Sequence, residues 1–233
     1  MIAALPIREV VAATRRAVIV RIDLEGRRFD YAAGQAVLVG DHGSTTRKPY
    51  SIASAPEDAQ RDGFIELLIG TDADADNGPS FTLERGVRVD IEGPLGTFIF
   101  PASPEERRFV FIAGGTGIAP LRAMLRHALR IPDAAVGLLY SARTPDDFAF
   151  ESELRTLADQ GRIELRQTVT RAGDTSDWRG ARGRIGRVEL AELVHGPDTL
   201  CFICGPRTLV DEMPRLLEEL GVPRSRIRIE EWS

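Results

Sequence analysis

Residues 109–125 read FVFIAGGTGIAPLRAML, and no other segment restricts the fold as much. Phe109–Ala113 is an apolar run without polar alternation, the signature of a strand buried on both faces of a helix-covered parallel sheet. It runs into Gly114, Gly115, Thr116 and Gly117, and helical spacing begins directly afterwards. Phosphates suit such a junction. Glycines let the backbone approach closely, and a helix N-terminus offers unpaired N–H groups and the positive end of a dipole. A plain glycine turn, common in any α/β fold, is the other reading of the same residues. The usual dinucleotide fingerprint G-x-G-x-x-G needs glycine at 120, where this chain has Pro120. Proline is at home there, in the first helical turn, where no N–H is required.

The pattern around this motif alternates. Strands are expected at Phe109–Ala113, Ala135–Tyr140, Ile163–Thr170, Thr199–Cys204 and Ile227–Ile229. Helices are expected at Ala119–Leu129, Asp147–Ala158, Val188–Val194 and Thr208–Leu220. That order implies a parallel sheet covered on both faces. The first hundred residues differ. Short β-type runs at Ala17–Asp23, Gln35–Val39, Tyr50–Ala53, Phe64–Ile69, Val87–Glu92 and Phe98–Phe100 are punctuated by Gly, Asp, Asn and Pro. Closely spaced strands without a long helix indicate a small antiparallel barrel. The change falls near residues 102–106, and 233 residues suffice for two cores. The acidic stretch TDADADNGP at 71–79 reads as a solvated loop.

A net charge of −5 gives no global field for nucleic acid or an anionic membrane surface. No stretch approaches the ~18 apolar residues of a membrane helix, and the first twenty residues lack the layout of a targeting segment. A cytoplasmic protein is expected. The two cysteines, Cys201 and Cys204, lie in DTLCFICGP. Residues three apart on a strand point to opposite faces, and no second pair completes a metal site. Neither a disulfide nor a metal centre is expected.

The first half holds TTRKPYSIASAP, residues 45–56, and Lys48 in it is the only lysine of the chain. GGTGIAP resembles the pyridine-nucleotide motif of the ferredoxin–NADP reductase superfamily, and PYSIAS resembles its flavin motif R-x-Y-S. GQAVLV (34–39), GPLGTF (93–98), YSAR (140–143), FICGP (202–206) and the terminal EEW (230–232) also resemble family blocks, in the family's order. The resemblance implies two domains. An antiparallel Greek-key β-barrel over residues 1–102 would bind flavin, and an α/β parallel-sheet domain over 103–233 would bind NAD(P).

It also implies roles. In the flavin motif a cation two residues before the tyrosine holds the pyrophosphate. That position is Lys48 here, with Arg47 one place further, and Lys48 is favoured because strand neighbours face opposite ways. Pro49 lies between them and Tyr50, which packs on the flavin, and the Ser51 hydroxyl lies near its N5. Leu67, Leu68 and Ile69 correspond to the strand lining the flavin. Gly78, Pro79 and Ser80 resemble a shortened G-x-x-S pyrophosphate turn, whose N–H groups can cap a diphosphate. FAD is favoured over FMN. Gly115, Thr116, Gly117, Pro120, Gly205 and Pro206 would hold the nicotinamide nucleotide, with Cys204 beside its ring. Trp232 would cover the flavin face, and Glu230 would stabilise charge or relay a proton. Arg143, Arg171 and Arg184 stand where basic residues can read an adenosine 2′-phosphate, which favours NADPH over NADH.

The expected activity is FAD-dependent NAD(P)H oxidation. Electrons would pass to a separate acceptor protein such as ferredoxin, flavodoxin or an oxygenase component. A flavin or quinone reductase with a diffusible acceptor is the related alternative. A non-catalytic flavin-binding electron-transfer subunit is the alternative of a different class. His42, His127 and His195 are scattered in sequence and carry no assigned role.

Overall fold

The structure is a computed structural model that describes residues 2–71, 78–171 and 177–231. Its contacts divide the chain into two compact units, Met1–Ala102 with Arg122–His127, and Ser103–Leu121 with Ala128–Ser233.

The first unit is a six-stranded antiparallel sheet. Its strands are β1 (Ile2–Thr14), β2 (Ala17–Asp23), β3 (Ala36–Asp41), β4 (Lys48–Ser51), β5 (Phe64–Gly70) and β6 (Arg88–Leu95), in the spatial order β4-β3-β6-β1-β2-β5. The neighbours β3–β6–β1 are the Greek-key crossings. An antiparallel bridge between Ile52 and Leu67 joins the β4 end to β5, so the sheet closes on itself. Inward residues alternate along each strand. Val20, Ile22, Val37, Val39, Ile65, Leu67, Ile69, Val89 and Ile91 form one buried cluster. Each such side chain contributes about 1.5–3 kcal/mol on full burial.

Three features of this unit differ from the sequence expectation. The 13-residue β1 was not foreseen. It pairs with β6 over Ile2–Pro6 and with β2 over Ile7–Thr14, and a register shift lies between Ile7 and Glu9. A strand that changes partners at a bulge loses its two-residue alternation, which hides it from periodicity. Phe98–Phe100 is not a strand; Phe98 and Phe100 are buried loop anchors, and the Phe100 N–H bonds the Ala33 carbonyl at 2.9 Å. A short helix, α1 (Pro56–Asp62), was also unforeseen. Its signals are in the sequence: proline and two acids in the first turn, and Gly63 in the left-handed region after the last.

The second unit is a parallel sheet of β7 (Arg108–Gly114), β8 (Ala135–Ala142), β9 (Glu164–Val169), β10 (Ala181–Arg182), β11 (Thr199–Gly205) and β12 (Ile227–Glu231), ordered β10-β9-β8-β7-β11-β12. Its helices are the two ends of α2 (Ile118–Ala128), whose middle, Arg122–His127, belongs to the first unit, and the whole of α3 (Glu151–Asp159), α4 (Arg187–Ala191) and α5 (Arg207–Glu219). Phe109–Ala113 is fully buried, as an apolar run between covered faces requires. Phe111 and Phe202 stack with centroids 5.4 Å apart on the neighbouring strands β7 and β11. The helix foreseen from Asp147 begins at Glu151 instead. Asp147 belongs to a single turn, Pro145–Asp147, closed by a Thr144–Asp147 capping box. The two-residue β10 is too short to leave a periodic signal.

Candidate functional site

In the first unit, β4 presents Lys48 and Tyr50 to the Gly78–Ser80 turn. Lys48 Nζ donates to the Gly78 carbonyl at 3.0 Å. Ser80 Oγ donates to the Val39 carbonyl at 2.7 Å, so the Tyr50 hydroxyl donates to Ser80 Oγ at 3.2 Å while accepting the Ser80 N–H at 3.0 Å. Phe81 meets the Tyr50 ring edge-on. No helix follows the turn, Pro79 has no N–H, the Ser80 N–H is held by Tyr50, and the Thr82 N–H is held by Asp41 at 2.8 Å. The Ser80 and Thr82 N–H groups are thus engaged within the fold, and the cation beside the turn is Lys48.

Arg47 is turned to other work. Its guanidinium contacts Asp90 at 3.4 Å and Glu92 at 3.8 Å. Asp90 also bonds the His42 ring at 2.8 Å and accepts the Gly43 N–H at 3.0 Å. These bonds, His42 first, hold the Asp90 carboxyl below the usual carboxylate range. His42, given no role from the sequence, is thus half of this acid–base pair although its ring is largely exposed.

Ser51 is buried, and its hydroxyl has no hydrogen-bond partner among the described residues. A buried orphan hydroxyl costs free energy unless something bonds it. A heteroaromatic ring carrying acceptor nitrogens fits that need, and a cation with a tyrosine on the same strand fits a phosphorylated tail. The residues present therefore fit a flavin nucleotide. Leu67 and Ile69 point into the barrel core, whereas Leu68 lies outside that cluster and Pro49 is exposed.

Sequence reasoning missed Arg122 and Glu66. Arg122, buried, donates to the Ala53 carbonyl at 2.7 Å and to Glu66 at 2.8 Å, and Glu66 also takes Arg21 at 3.0 Å. This bond holds the backbone two residues past Ser51. The available signal was an arginine inside the apolar helical stretch IAPLRAML. Beside it, Arg126 pairs with Asp58, and His127 pairs with Glu57 at 2.7 Å.

In the second unit, the glycine loop and the Cys204–Pro206 segment pack backbone against backbone at the C-terminal ends of β7 and β11. Gly115 has φ +55, a left-handed conformation that favours glycine. A Cβ on Gly117 would strike the Cys204 carbonyl, and one on Gly114 would lie 2.7 Å from the Pro206 ring. A Cβ on Gly205 would lie 3.0 Å from the Gly114 backbone. Gly115 and Thr116 remain exposed at the rim, and Pro120 is buried in the first turn of α2. Only glycines allow this approach, and the exposed rim precedes a helix N-terminus, the place where a nucleotide phosphate is best held.

β11 sets Cys204 directly opposite Glu230 of β12, so two of the four proposed catalytic residues are neighbours. The third, Ser51, belongs to the first unit, and the fourth, Trp232, lies outside the described residues. Cys201 packs with Ile203 on one face of the unit, and neither cysteine is in a disulfide. Burial pushes the Cys201 thiol up to about 12, so it stays protonated at neutral pH. Arg143 and Arg171 emerge side by side, the Arg171 N–H bonding the Arg143 carbonyl at 2.7 Å, and both side chains are exposed. Arg184 is paired with Glu212 of α5 at 3.1 Å. Tyr140, unassigned from the sequence, is fully buried on β8 beneath the glycine loop. Its signal was a hydroxylated ring in an otherwise apolar strand. Among the described residues, no cluster of His, Cys, Asp and Glu is placed to hold a metal, and no helix is long and apolar enough to cross a membrane.

A closed antiparallel barrel followed by a parallel sheet with a glycine-built loop defines the class of two-domain flavin and nicotinamide reductases. Comparison with known proteins agrees. Residues 111–214 match the oxidoreductase NAD-binding domain family. The chain is 34% identical over 219 residues to ferredoxin–NADP reductase B of Sorangium cellulosum (strain So ce56), covering 89% of this chain and 88% of that protein. Its fold matches the ferredoxin reductase in carbazole 1,9a-dioxygenase with a TM-score of 0.84 at 27% identity, over 100% of this chain and 70% of that one. An Amycolatopsis cytochrome P450 reductase gives a TM-score of 0.84 at 26% identity, over 99% and 69%. The chain belongs to the ferredoxin–NADP reductase family and is an FAD-dependent NAD(P)H oxidoreductase.

Proposed function

We propose that this protein oxidises NADPH and passes the electrons to a separate one-electron acceptor protein, a ferredoxin, a flavodoxin or an oxygenase component. The observation that carries the reading is the Gly114–Gly117 loop packed on Cys204–Pro206, with Cys204 and Glu230 side by side at the same sheet edge. The relatives' names support the acceptor class: one is a ferredoxin reductase of a dioxygenase, another a cytochrome P450 reductase. In this reading residues 1–102 bind FAD and 103–233 bind NAD(P). Bound FAD would supply the hydride-accepting and one-electron-donating chemistry that links the nicotinamide to the acceptor.

The chain's own residues bind, orient and stabilise. Lys48 neutralises the flavin's phosphates, Tyr50 packs on the flavin, and the Ser51 hydroxyl bonds the flavin ring. Cys204, with its small side chain, leaves room for the nicotinamide at the end of β11. Glu230 offsets positive charge developing on it. Arg143 and Arg171, linked through their backbones, read the 2′-phosphate. Arg184, held by Glu212, contributes less.

The test is steady-state reduction of a purified ferredoxin with NADPH and with NADH, for wild type, Arg143→Ala and Arg171→Ala. Charge-assisted bonds contribute roughly 1.5–3 kcal/mol each, so either substitution should cut kcat/KM for NADPH about tenfold or more and leave NADH unchanged. Equal efficiency with both nucleotides in the wild type overturns the NADPH preference. Rapid turnover with free flavins or quinones but not with ferredoxin replaces the protein acceptor with a diffusible one.

A further inference from the structure

We infer that Tyr140 is a positioning residue that sets the glycine loop for nucleotide binding through its hydroxyl. The inference rests on the proposed reading of this loop as the cradle for the nicotinamide nucleotide's phosphates. Tyr140 sits on β8, fully buried. Its O–H donates to the Gly115 carbonyl at 3.1 Å and accepts the Ala149 N–H at 3.2 Å. Burial pushes this phenol's pKa well above its ordinary value, so the hydroxyl keeps its proton and remains a donor throughout the working pH range.

The consequence follows from peptide geometry. In a planar trans peptide the C=O of one residue and the N–H of the next point in opposite directions. Fixing the Gly115 carbonyl inward on Tyr140 therefore aims the Thr116 N–H outward, at the exposed rim where an anion would sit. Gly115 is the residue that needs such fixing. Its φ of +55 suits glycine, an added Cβ there would meet nothing within 4 Å, and its carbonyl is held from two sides, by the Tyr140 hydroxyl and by the Ile118 N–H of the following turn. The hydroxyl also ties this loop to the segment after β8. Ala149 follows Phe148, which meets the Tyr140 ring edge-on at 5.0 Å, and the same segment starts with Arg143 and the Thr144–Asp147 capping box. One phenol thus joins the proposed phosphate-binding and 2′-phosphate-reading segments.

Tyr140→Phe removes the hydroxyl and keeps the ring, so the Phe148 contact survives. One neutral hydrogen bond is lost on each side, and the Gly115 carbonyl keeps only the Ile118 N–H, so the Thr116 N–H is held less firmly toward the rim. The KM for NADPH and the Kd for adenosine 5′-diphosphoribose should each rise about three- to tenfold. FAD content and the rate of flavin reduction at saturating NADPH should stay as in wild type. A residue with only a structural role would lower thermal stability and leave both nucleotide constants unchanged. Nucleotide constants equal to wild type in folded Tyr140→Phe overturn the inference, as does a fall in the saturating rate with KM unchanged. If Tyr140→Phe does not fold, Phe148→Leu decides, because it loosens the ring while keeping the hydroxyl. A rise of about two- to fourfold in the same two constants supports the inference, and unchanged constants overturn it. Failure of the underlying reading looks different: wild-type protein would then bind neither NADPH nor adenosine 5′-diphosphoribose.

Discussion

The two proposed binding regions handle phosphate with different materials. In the second unit the cradle is backbone: Gly114, Gly117 and Gly205 meet across contacts too close for any side chain, and Gly115 adopts a left-handed turn. In the first unit the proposed phosphate contact is a side chain, Lys48, on the strand that also carries Tyr50 and Ser51 for the flavin ring. A backbone cradle cannot be exchanged piecemeal, since a single Cβ strikes neighbouring main chain. A side-chain site tolerates substitution. A lysine stands where the family motif has arginine. The lesson is that the two regions should break differently, one by steric exclusion and the other by loss of charge or of one hydrogen bond.

The largest effect is expected at the backbone cradle. In Gly117→Ala the added Cβ would collide with the Cys204 carbonyl and lie 2.8 Å from the Gly205 nitrogen, both main-chain groups that cannot swing aside. Overpacking of this kind costs about 1–3 kcal/mol. NADPH-dependent flavin reduction should fall by about a hundredfold or more, while FAD content, which the proposal assigns to the first unit, should stay near wild type. Stopped-flow reduction and flavin quantitation read both. Loss of FAD together with the reduction rate would end the distinction between the two regions.

Next in size is the charge. Lys48→Ala should weaken FAD binding about ten- to a hundredfold, the scale of one charge-assisted bond of ~1.5–3 kcal/mol. Arg47→Ala should weaken it much less and lower thermal stability instead, because it strips Asp90 and Glu92 of their cation. Equilibrium FAD titration of the apoproteins gives the ranking, and the reverse order would move the phosphate-facing role to Arg47.

The smallest effect carries the sharpest sign. Ser51→Ala removes a buried hydroxyl that no described residue satisfies. It should leave apoprotein stability unchanged or raise it, and should slow flavin reduction about two- to tenfold. Thermal unfolding of the apoprotein and single-turnover reduction test both halves. Clear destabilisation of the apoprotein would mean that the hydroxyl already serves the fold.

How much of this was legible follows from the same contrast. The glycine loop, Pro120 and the strand before them could be read residue by residue, because left-handed turns and close backbone approaches leave almost no choice of residue type. The alternating strands and helices of the second unit were legible for the same reason, since burial on both faces demands uninterrupted apolar runs. The long β1 was not, because a register shift at Ile7–Glu9 breaks its alternation. Nor were the bonds that hold Ser51's surroundings. Arg122, Glu66 and Ala53 are 69 or fewer residues apart in sequence and meet only in the fold. Tyr140 stood in plain view in YSAR, but its partners Gly115 and Ala149 are on other segments, and a hydroxyl's role is set by what it bonds.

The central claim is that this chain binds FAD and a nicotinamide nucleotide and moves electrons between them. Anaerobic addition of NADPH to the FAD-loaded protein tests it most directly. The account predicts a yellow protein whose visible flavin absorbance bleaches fully with about one equivalent of nucleotide. A yellow protein that neither NADPH nor NADH bleaches, or a chain that takes up no flavin, would contradict it.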